Sequence, residues 1–331
     1  MEKYNRILIV DGLNNYMRAY AANPTMSTNG VHVGGIVGFL KILQKTLREV
    51  KPTRVVIAWD GAGGSKKRKQ INKNYKSGRN PIRLNRNHGF ATEEQEKQGR
   101  LRQQLRLIEY FNYTPIRQVI ADGVEADDLI SWVCQSHICD DWQKVILSND
   151  KDFFQILDAC TVLIRPSSDK PLTIRSVIDE YGIHPTNFAL ARAMSGDRSD
   201  NLKGVKGIGL KTVANKFPFL QENTPCTIDR VIQFCKDNYE GYKSLSRITE
   251  SRSLIKNNYD VMQLYSPGIS FQTTQMLKKE LAAAKPCNNQ TAIKKMLVQD
   301  GIFGVNFDEL FASLNRIEHN EKQLNKLLKV R

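Results

Sequence analysis

The chain has 331 residues, with 49 Lys and Arg against 34 Asp and Glu, a formal net charge of +15. That length supports a sizeable core in one large domain or two ordinary ones, and 40% hydrophobic content excludes a disordered chain. So large an excess of base is unusual for a small-molecule enzyme and points to a polyanionic partner.

In chain order, the apolar run Ile7–Val10 predicts a first strand, followed by helices over about 13–22 and 33–49 and a second strand over 54–59. A long helix over about 92–111 leads into a third strand at Thr114–Ile120. A helix over 125–138, a strand over 144–148, a short helix over 151–157 and a strand at Thr161–Ile164 come next. This alternation predicts an α/β fold with a mostly parallel central sheet flanked by helices. From about 174 onward the periodicity is helical, including Thr274–Ala284, Gln290–Asp300 and Phe307–Val330. Within the last of these, Leu310, Leu314, Ile317, Leu324 and Leu327 form a stripe expected to pack on the body. Met1 to Arg6 leads straight into the first strand and leaves no room for a signal peptide. No apolar stretch approaches the roughly 20 residues of a membrane span, so the expectation is a soluble, cytoplasmic protein.

Nine carboxylates in five clusters carry the chemical signal. Asp11 and Asp60 end apolar runs; Glu125, Asp127 and Asp128 sit in Gly-Val-Glu-Ala-Asp-Asp. Asp150 and Asp152 follow the fourth strand, and Asp197 and Asp200 lie in Gly-Asp-Arg-Ser-Asp-Asn. An acid after a buried strand stands at the carboxyl edge, where open α/β sheets place their sites. Two carboxylates 4 Å apart repel by about 4 kcal/mol at an effective dielectric near 20, so a convergent set takes up protons or cations. Oxygen donors without His or Cys point to Mg²⁺ or Mn²⁺. The six cysteines show no Cys-x-x-Cys spacing, which argues against zinc.

Two basic segments supply the polyanion contact. Residues 61–92 hold nine Lys and Arg and no acid, Lys76, Arg68, Arg79, Arg83 and Arg86 among them, with Tyr75 available to stack on a base. Around Gly204-Val205-Lys206-Gly207-Ile208-Gly209, a tight turn between two short helices is expected, with Lys203, Lys206 and Lys211 around it. The exposed N–H groups of the second helix, near Gly207 and Gly209, would hold a backbone phosphate.

These strings resemble the structure-specific 5′ nucleases: flap endonucleases, the 5′-nuclease domain of DNA polymerase I, and above all the tailed-phage 5′–3′ exonucleases also called phage ribonuclease H. Ile-Val-Asp-Gly (9–12), Trp-Asp (59–60), Tyr-Lys-Ser-Gly-Arg (75–79), Ser-Asn-Asp-Lys-Asp-Phe (148–153) and the acidic and glycine strings above occur in the family's order across about residues 5–265. The resemblance implies a PIN-like core over 1–174 with a helical arch at 61–92. It also implies a helical subdomain over 175–267 with a helix–hairpin–helix at 203–218, and a helical tail over 268–331. By the family's arrangement Asp11, Asp60, Glu125 and Asp127 surround one metal and Asp150 bridges. Asp152, Asp197 and Asp200 face the second, with Asp128 close by. Lys76 and Arg68 then stabilise the scissile phosphate, Tyr75 stacks on the terminal nucleotide, and carbonyls of Val205, Gly207 and Ile208 hold K⁺ beside duplex phosphate. Pro81 would break or kink an arch helix.

The activity so implied is a two-Mg²⁺ 5′–3′ exonuclease and flap endonuclease acting on DNA and RNA–DNA hybrids with 5′ ends, flaps or nicks. As a stand-alone monomer it would clear primers and flaps in phage replication, beside a single-strand-binding protein or clamp. The rival is a relative that binds branched DNA without cutting it; intact Asp150, Asp152, Asp197 and Asp200 count against that reading.

Overall fold

A computed structural model of the chain describes residues 5–78, 85, 92–168, 170–238, 243–282 and 288–328, with backbone alone for Cys139 and 325–328. Five strands form one parallel sheet: β1 (Arg6–Asp11), β2 (Arg54–Ala58), β3 (Arg117–Val119), β4 (Gln143–Leu147) and β5 (Thr161–Ile164), in the order β3-β2-β1-β4-β5. The strands read as continuous apolar runs because both faces are covered. Ile7, Ile9, Val56, Ala58 and Ile146 face one hydrophobic cluster; Leu8, Val10, Val55, Ile57 and Val145 face the other. The chain leaves β1 toward β2 and β3, then returns to β4 and β5 on the opposite side, so a crevice opens at the carboxyl edge beside β1.

On the second face lie α1 (Gly12–Ala22), α2 (Gly34–Val50) and α4 (Glu93–Asn112). Between β2 and α4 stands the short basic α3 (Lys66–Ile71). On the first face α5 (Ala126–Gln135) packs together with the helical half. That half consists of α6 (Ile174–Tyr181), α7 (Pro185–Ser195), α8 (Leu210–Lys216), α9 (Ile228–Asp237), α10 (Lys243–Glu250) and α11 (Arg252–Met262). A two-residue antiparallel pair, β6 (Gly196–Asp197) and β7 (Leu202–Lys203), separates α7 from α8.

That pair corrects the expected hairpin. Within 203–218 only α8 is an α-helix; its helical partner is α7, which ends at Ser195. Gly196 at φ 75° stops α7, and a Cβ on Gly204 would sit 2.2 Å from the Ser195 carbonyl. Backbones this close leave no room for a helical turn at 202–204.

The C-terminal α12 (Phe271–Ala282), α13 (Gln290–Gln299) and α14 (Phe307–Leu328) pack on the body. Leu310, Leu314 and Ile317 are buried, each contributing about 2 kcal/mol. Leu324 is partly buried, and the Leu327 side chain lies outside the described residues. Glu321 of α14 reaches the amino edge of the sheet, pairing with Arg54 at 3.0 Å and with Arg117. All three are nearly sealed from solvent, with Arg117 at 0% exposure. Among the described residues no helix is long and apolar enough to cross a membrane.

Candidate metal centre and nucleic-acid interface

Asp11 is the last residue of β1 and the N-cap of α1, where its side chain accepts from the Asn14 N–H. Its other oxygen accepts from Ser148 Oγ at 2.7 Å. The buried Asn15 amide ties the Asp11 and Leu147 carbonyls together, fixing the ends of β1 and β4 side by side. Asp60 accepts from the Ala126 N–H at 3.1 Å, which brings the end of β2 to the start of α5. Glu125, Asp127 and Asp128 occupy that helix start, where the dipole favours negative charge. Asp150 caps the 3₁₀ turn Lys151–Ile156 by accepting from the Asp152 N–H.

The acids form two groups, and Asp150 lies close enough to repel Asp127 of one and Asp152 of the other. In one group, oxygens of Asp152, Asp197 and Asp200 lie within 4.8 Å of one another. Ser199 donates to Asp197 twice at 2.6 Å and fixes that loop. Carboxylate oxygens this close, with no nitrogen or sulfur donor among them, fit a hard divalent cation. In the other group Glu125 and Asp127 face cations of the protein. Arg68 contacts Glu125, Asp127 at 2.8 Å and Asp128 at 3.1 Å; Lys76 Nζ lies 2.5 Å from Glu125. Asp11 and Asp60 flank this group without joining a ligand-spaced cluster among the described residues.

The electrostatics follow from burial and neighbours. Burial lifts Asp11 to about 7 against the Ser148 hydrogen bond, and Asp150 and Asp60 add to the rise. Burial also lifts Asp128 and Asp152 to about 7, assisted by Asp127 and Asp150 respectively. Asp60 and Asp150 are raised chiefly by burial as well. Burial opposes ionisation of Asp127 and Asp197, but Arg68 and Lys76 outweigh it for Asp127. For Asp197, Ser199 and Arg192 do so. Despite burial, Tyr75, Asp127 and Glu125 hold the Lys76 ammonium well above its usual range. A pocket that pushes three acids up to about 7 and holds two down is poised to exchange protons for cations.

Arg192 was not legible as a site residue, yet it is central to the second group. It lies 2.9 Å from Asp152 and contacts Asp197, while its Nε is buried without a partner. The available signal was a single charge inside the apolar run Phe188–Met194.

Tyr75 requires a correction. It is 3% exposed, packed on Leu202, Val261 and Met262, and its hydroxyl donates to Glu125 at 3.1 Å. With Arg68 and Lys76 against its ring, it is packed inside the protein here, where its hydroxyl holds Glu125, and is not presented at the surface for stacking. Arg79, Arg83 and Arg86, with Pro81, lie outside the described residues.

Beside the second group an open cleft of about 850 Å³ runs along Lys203, Lys206, Gly207 and Gly209. Gly207 takes φ 77°, Gly209 N-caps α8 without a side-chain partner, and residues 207–210 at that helix start line the cleft. Lys211 stands on the first turn of α8. The Val205 carbonyl accepts from the Ile208 N–H at 3.0 Å, closing the turn.

Residues 6–182, more than half of the chain, match the family described as 5′–3′ exonuclease, N-terminal resolvase-like domain. The chain belongs to the 5′–3′ exonuclease family. Among its relatives, DNA polymerase I of Bacillus subtilis (strain 168) is 32% identical over 218 residues, 64% of this chain and 23% of that protein. The 5′–3′ exonuclease of Aquifex aeolicus (strain VF5) is 28% identical over 215 residues, 63% of this chain and 68% of that protein. The chain thus spans less than a quarter of the polymerase it matches. Among solved structures, a bacteriophage T5 5′-exonuclease with bound zinc shares the fold at TM-score 0.66 and 16% identity, covering 85% of this chain and 100% of that one. A bacteriophage T5 flap endonuclease in complex with DNA and metal ions aligns at TM-score 0.63 and 16% identity, covering 89% and 98%. At these identities the two structures establish the fold of this 5′–3′ exonuclease family member.

Proposed function

We propose that the chain is a divalent-metal-dependent 5′–3′ exonuclease and flap endonuclease, cutting phosphodiesters near 5′ ends and junctions of DNA and RNA–DNA hybrids. The observation that carries the reading is the Asp152–Asp197–Asp200 set, three close carboxylates next to a basic cleft that Asp197 helps to line. Asp11, Asp60, Glu125, Asp127, Asp128 and Asp150 complete the acids that would hold two Mg²⁺, or Mn²⁺ in their place. Such ions, when bound, supply a water of lowered pKa and neutralise the leaving 3′ oxygen.

The chain's own residues perform the remainder. Lys76 and Arg68, positioned by Glu125 and Tyr75, offer cationic charge where a scissile phosphate would replace part of their carboxylate contacts. Lys203, Lys206 and Lys211, with the N–H groups around Gly207 and Gly209, grip duplex backbone without reading bases. Carbonyls of Val205, Gly207 and Ile208 at this turn are the candidate K⁺ ligands. Arg79, Arg83 and Arg86 would guide the 5′ strand. The core 1–174, helical subdomain 175–267 and extension 268–331 serve as the three working parts. Primer and flap removal during phage replication is the role that this substrate class fits, in host cytoplasm as a monomer.

The test is cleavage of 5′-labelled flap, nicked and RNA–DNA substrates in Mg²⁺, with Asp150→Asn and Asp200→Asn alongside. Cleavage near the junction by wild type, lost in both variants while binding survives, is the expected result. Tight junction binding without cleavage in Mg²⁺ or Mn²⁺ would instead make the chain a non-cutting branched-DNA binder.

A further inference from the structure

Two non-glycine residues hold left-handed backbone at one contact. Lys76 has φ 54° and Asn201 has φ 57°. Each such residue costs about 1–2 kcal/mol and persists where its surroundings over-determine it. The Lys76 N–H donates to the Asp200 carbonyl at 2.9 Å, while its ammonium reaches Glu125. Lys76 therefore touches both acidic groups at once, one by backbone and one by side chain. Asn201 answers from the turn between β6 and β7. Its Nδ2 donates to the Asn74 carbonyl at 3.2 Å and to Ser77 Oγ at 2.7 Å, bracketing Lys76 on both sides. No hydrogen bond of this set belongs to a helix or to the sheet, so the contact depends on one backbone pair and the Asn201 side chain.

We infer that Asn201 is a positioning residue, a clasp that locks the chain carrying Lys76 onto the loop carrying Asp197 and Asp200. The inference rests on the nuclease reading above for its functional meaning. Geometrically, release of 72–78 would withdraw the Lys76 ammonium from Glu125 and break its N–H bond to the Asp200 carbonyl in one movement. Order in 72–78 and cation occupancy of the Asp152–Asp197–Asp200 set are then linked, and the linkage acts in both directions. A nucleic acid that pulls on the basic segment thereby alters the second acidic group, and a filled second group holds Lys76 ready. Asn suits this position because it tolerates left-handed backbone and still carries a donor beyond it.

The test is hydrogen–deuterium exchange of the amides at 72–78 in wild type, Asn201→Gly, Asn201→Asp and Ser77→Ala, with and without Mg²⁺. Glycine keeps the backbone at its φ without strain and removes only the clasp, so global folding is preserved. Wild type should exchange slowly at 72–78 and more slowly still in Mg²⁺. Asn201→Gly should exchange faster in both conditions and lose the Mg²⁺ response, while Mg²⁺ still raises its melting temperature. Asn201→Asp, which lacks the donor, should behave like glycine, and Ser77→Ala should fall between. Turnover of a flap substrate by Asn201→Gly should drop about 10- to 100-fold, with DNA affinity unchanged. Exchange at 72–78 equal in wild type and Asn201→Gly would overturn the clasp. Absence of any Mg²⁺-induced melting shift in wild type would overturn the metal reading instead, and the metal-free exchange comparison would still decide the clasp.

Discussion

Replacing Arg192 by Gln removes the one cation that contacts both Asp152 and Asp197 among the described residues. At 4.8 Å each pair in the Asp152–Asp197–Asp200 set repels by about 3.5 kcal/mol at an effective dielectric near 20. The guanidinium, 2.9 Å from Asp152, offsets this when both partners are ionised. Breaking a buried pair costs about 3–5 kcal/mol, and the relief of burying a guanidinium with an unpaired Nε returns part of that. We therefore expect Arg192→Gln to lower stability by about 3 kcal/mol at pH 8. At pH 5.5, Asp152, whose pKa is lifted to about 7, is already protonated, and Asp197, held below its usual range, is the remaining partner. The loss there should be about half as large. The sign is consistent: a carboxyl raised in the folded state binds more protons folded than unfolded between about pH 4 and 7. Stability of the metal-free protein consequently falls as pH rises through that window. Mg²⁺ supplies the missing positive charge, so it should stabilise the variant more than wild type at pH 8. Urea unfolding at the two pH values, in EDTA and in Mg²⁺, measures all four quantities. An equal loss at both pH values, or no extra rescue by Mg²⁺, would refute the counter-ion argument.

Lys76→Ala should reduce turnover about 100-fold while flap affinity stays within a small factor, read by single-turnover kinetics beside equilibrium binding. A loss confined to binding would remove Lys76 from the chemistry. Glu321→Ala leaves Arg54 and Arg117 buried without their carboxylate, and chemical denaturation should show a loss of about 3–5 kcal/mol. Gly204→Ala places a methyl 2.2 Å from the Ser195 carbonyl. It should abolish duplex affinity through the displaced α7–α8 turn, with a smaller effect on a short single strand in the same gel-shift assay.

The sheet was legible because runs such as Val55–Ile57 are buried on both faces, and the acids after them mark the carboxyl edge. The grouping of the acids was harder to read. Glu125 meets Arg68, Tyr75 and Lys76 across about fifty residues, a contact that no local pattern encodes. Tyr75 followed a polar, basic stretch and was assigned to a nucleotide, but Leu202, Val261 and Met262, distant in sequence, enclose it. The turn at 204–209 was recognisable from its glycines, whereas the element before it depended on the approach of Gly204 to Ser195, which sequence spacing conceals. Glu321 resembles any exposed helical acid until α14 is docked against β2 and β3.

The arginines that open the strands bear on how a nucleic acid arrives. Arg54, Arg117 and Lys144 are buried at the amino edge, and Arg6 is engaged by Gln143 and the Val50 carbonyl. None of these four stands where a polyanion at the carboxyl edge would touch it, although all count toward the formal +15. At the opposite end, Lys203 and Lys206 line the cleft beside the acids, where a polyanion can reach them. The salt slope of association should therefore count the basic residues that reach phosphate and fall well short of the formal +15.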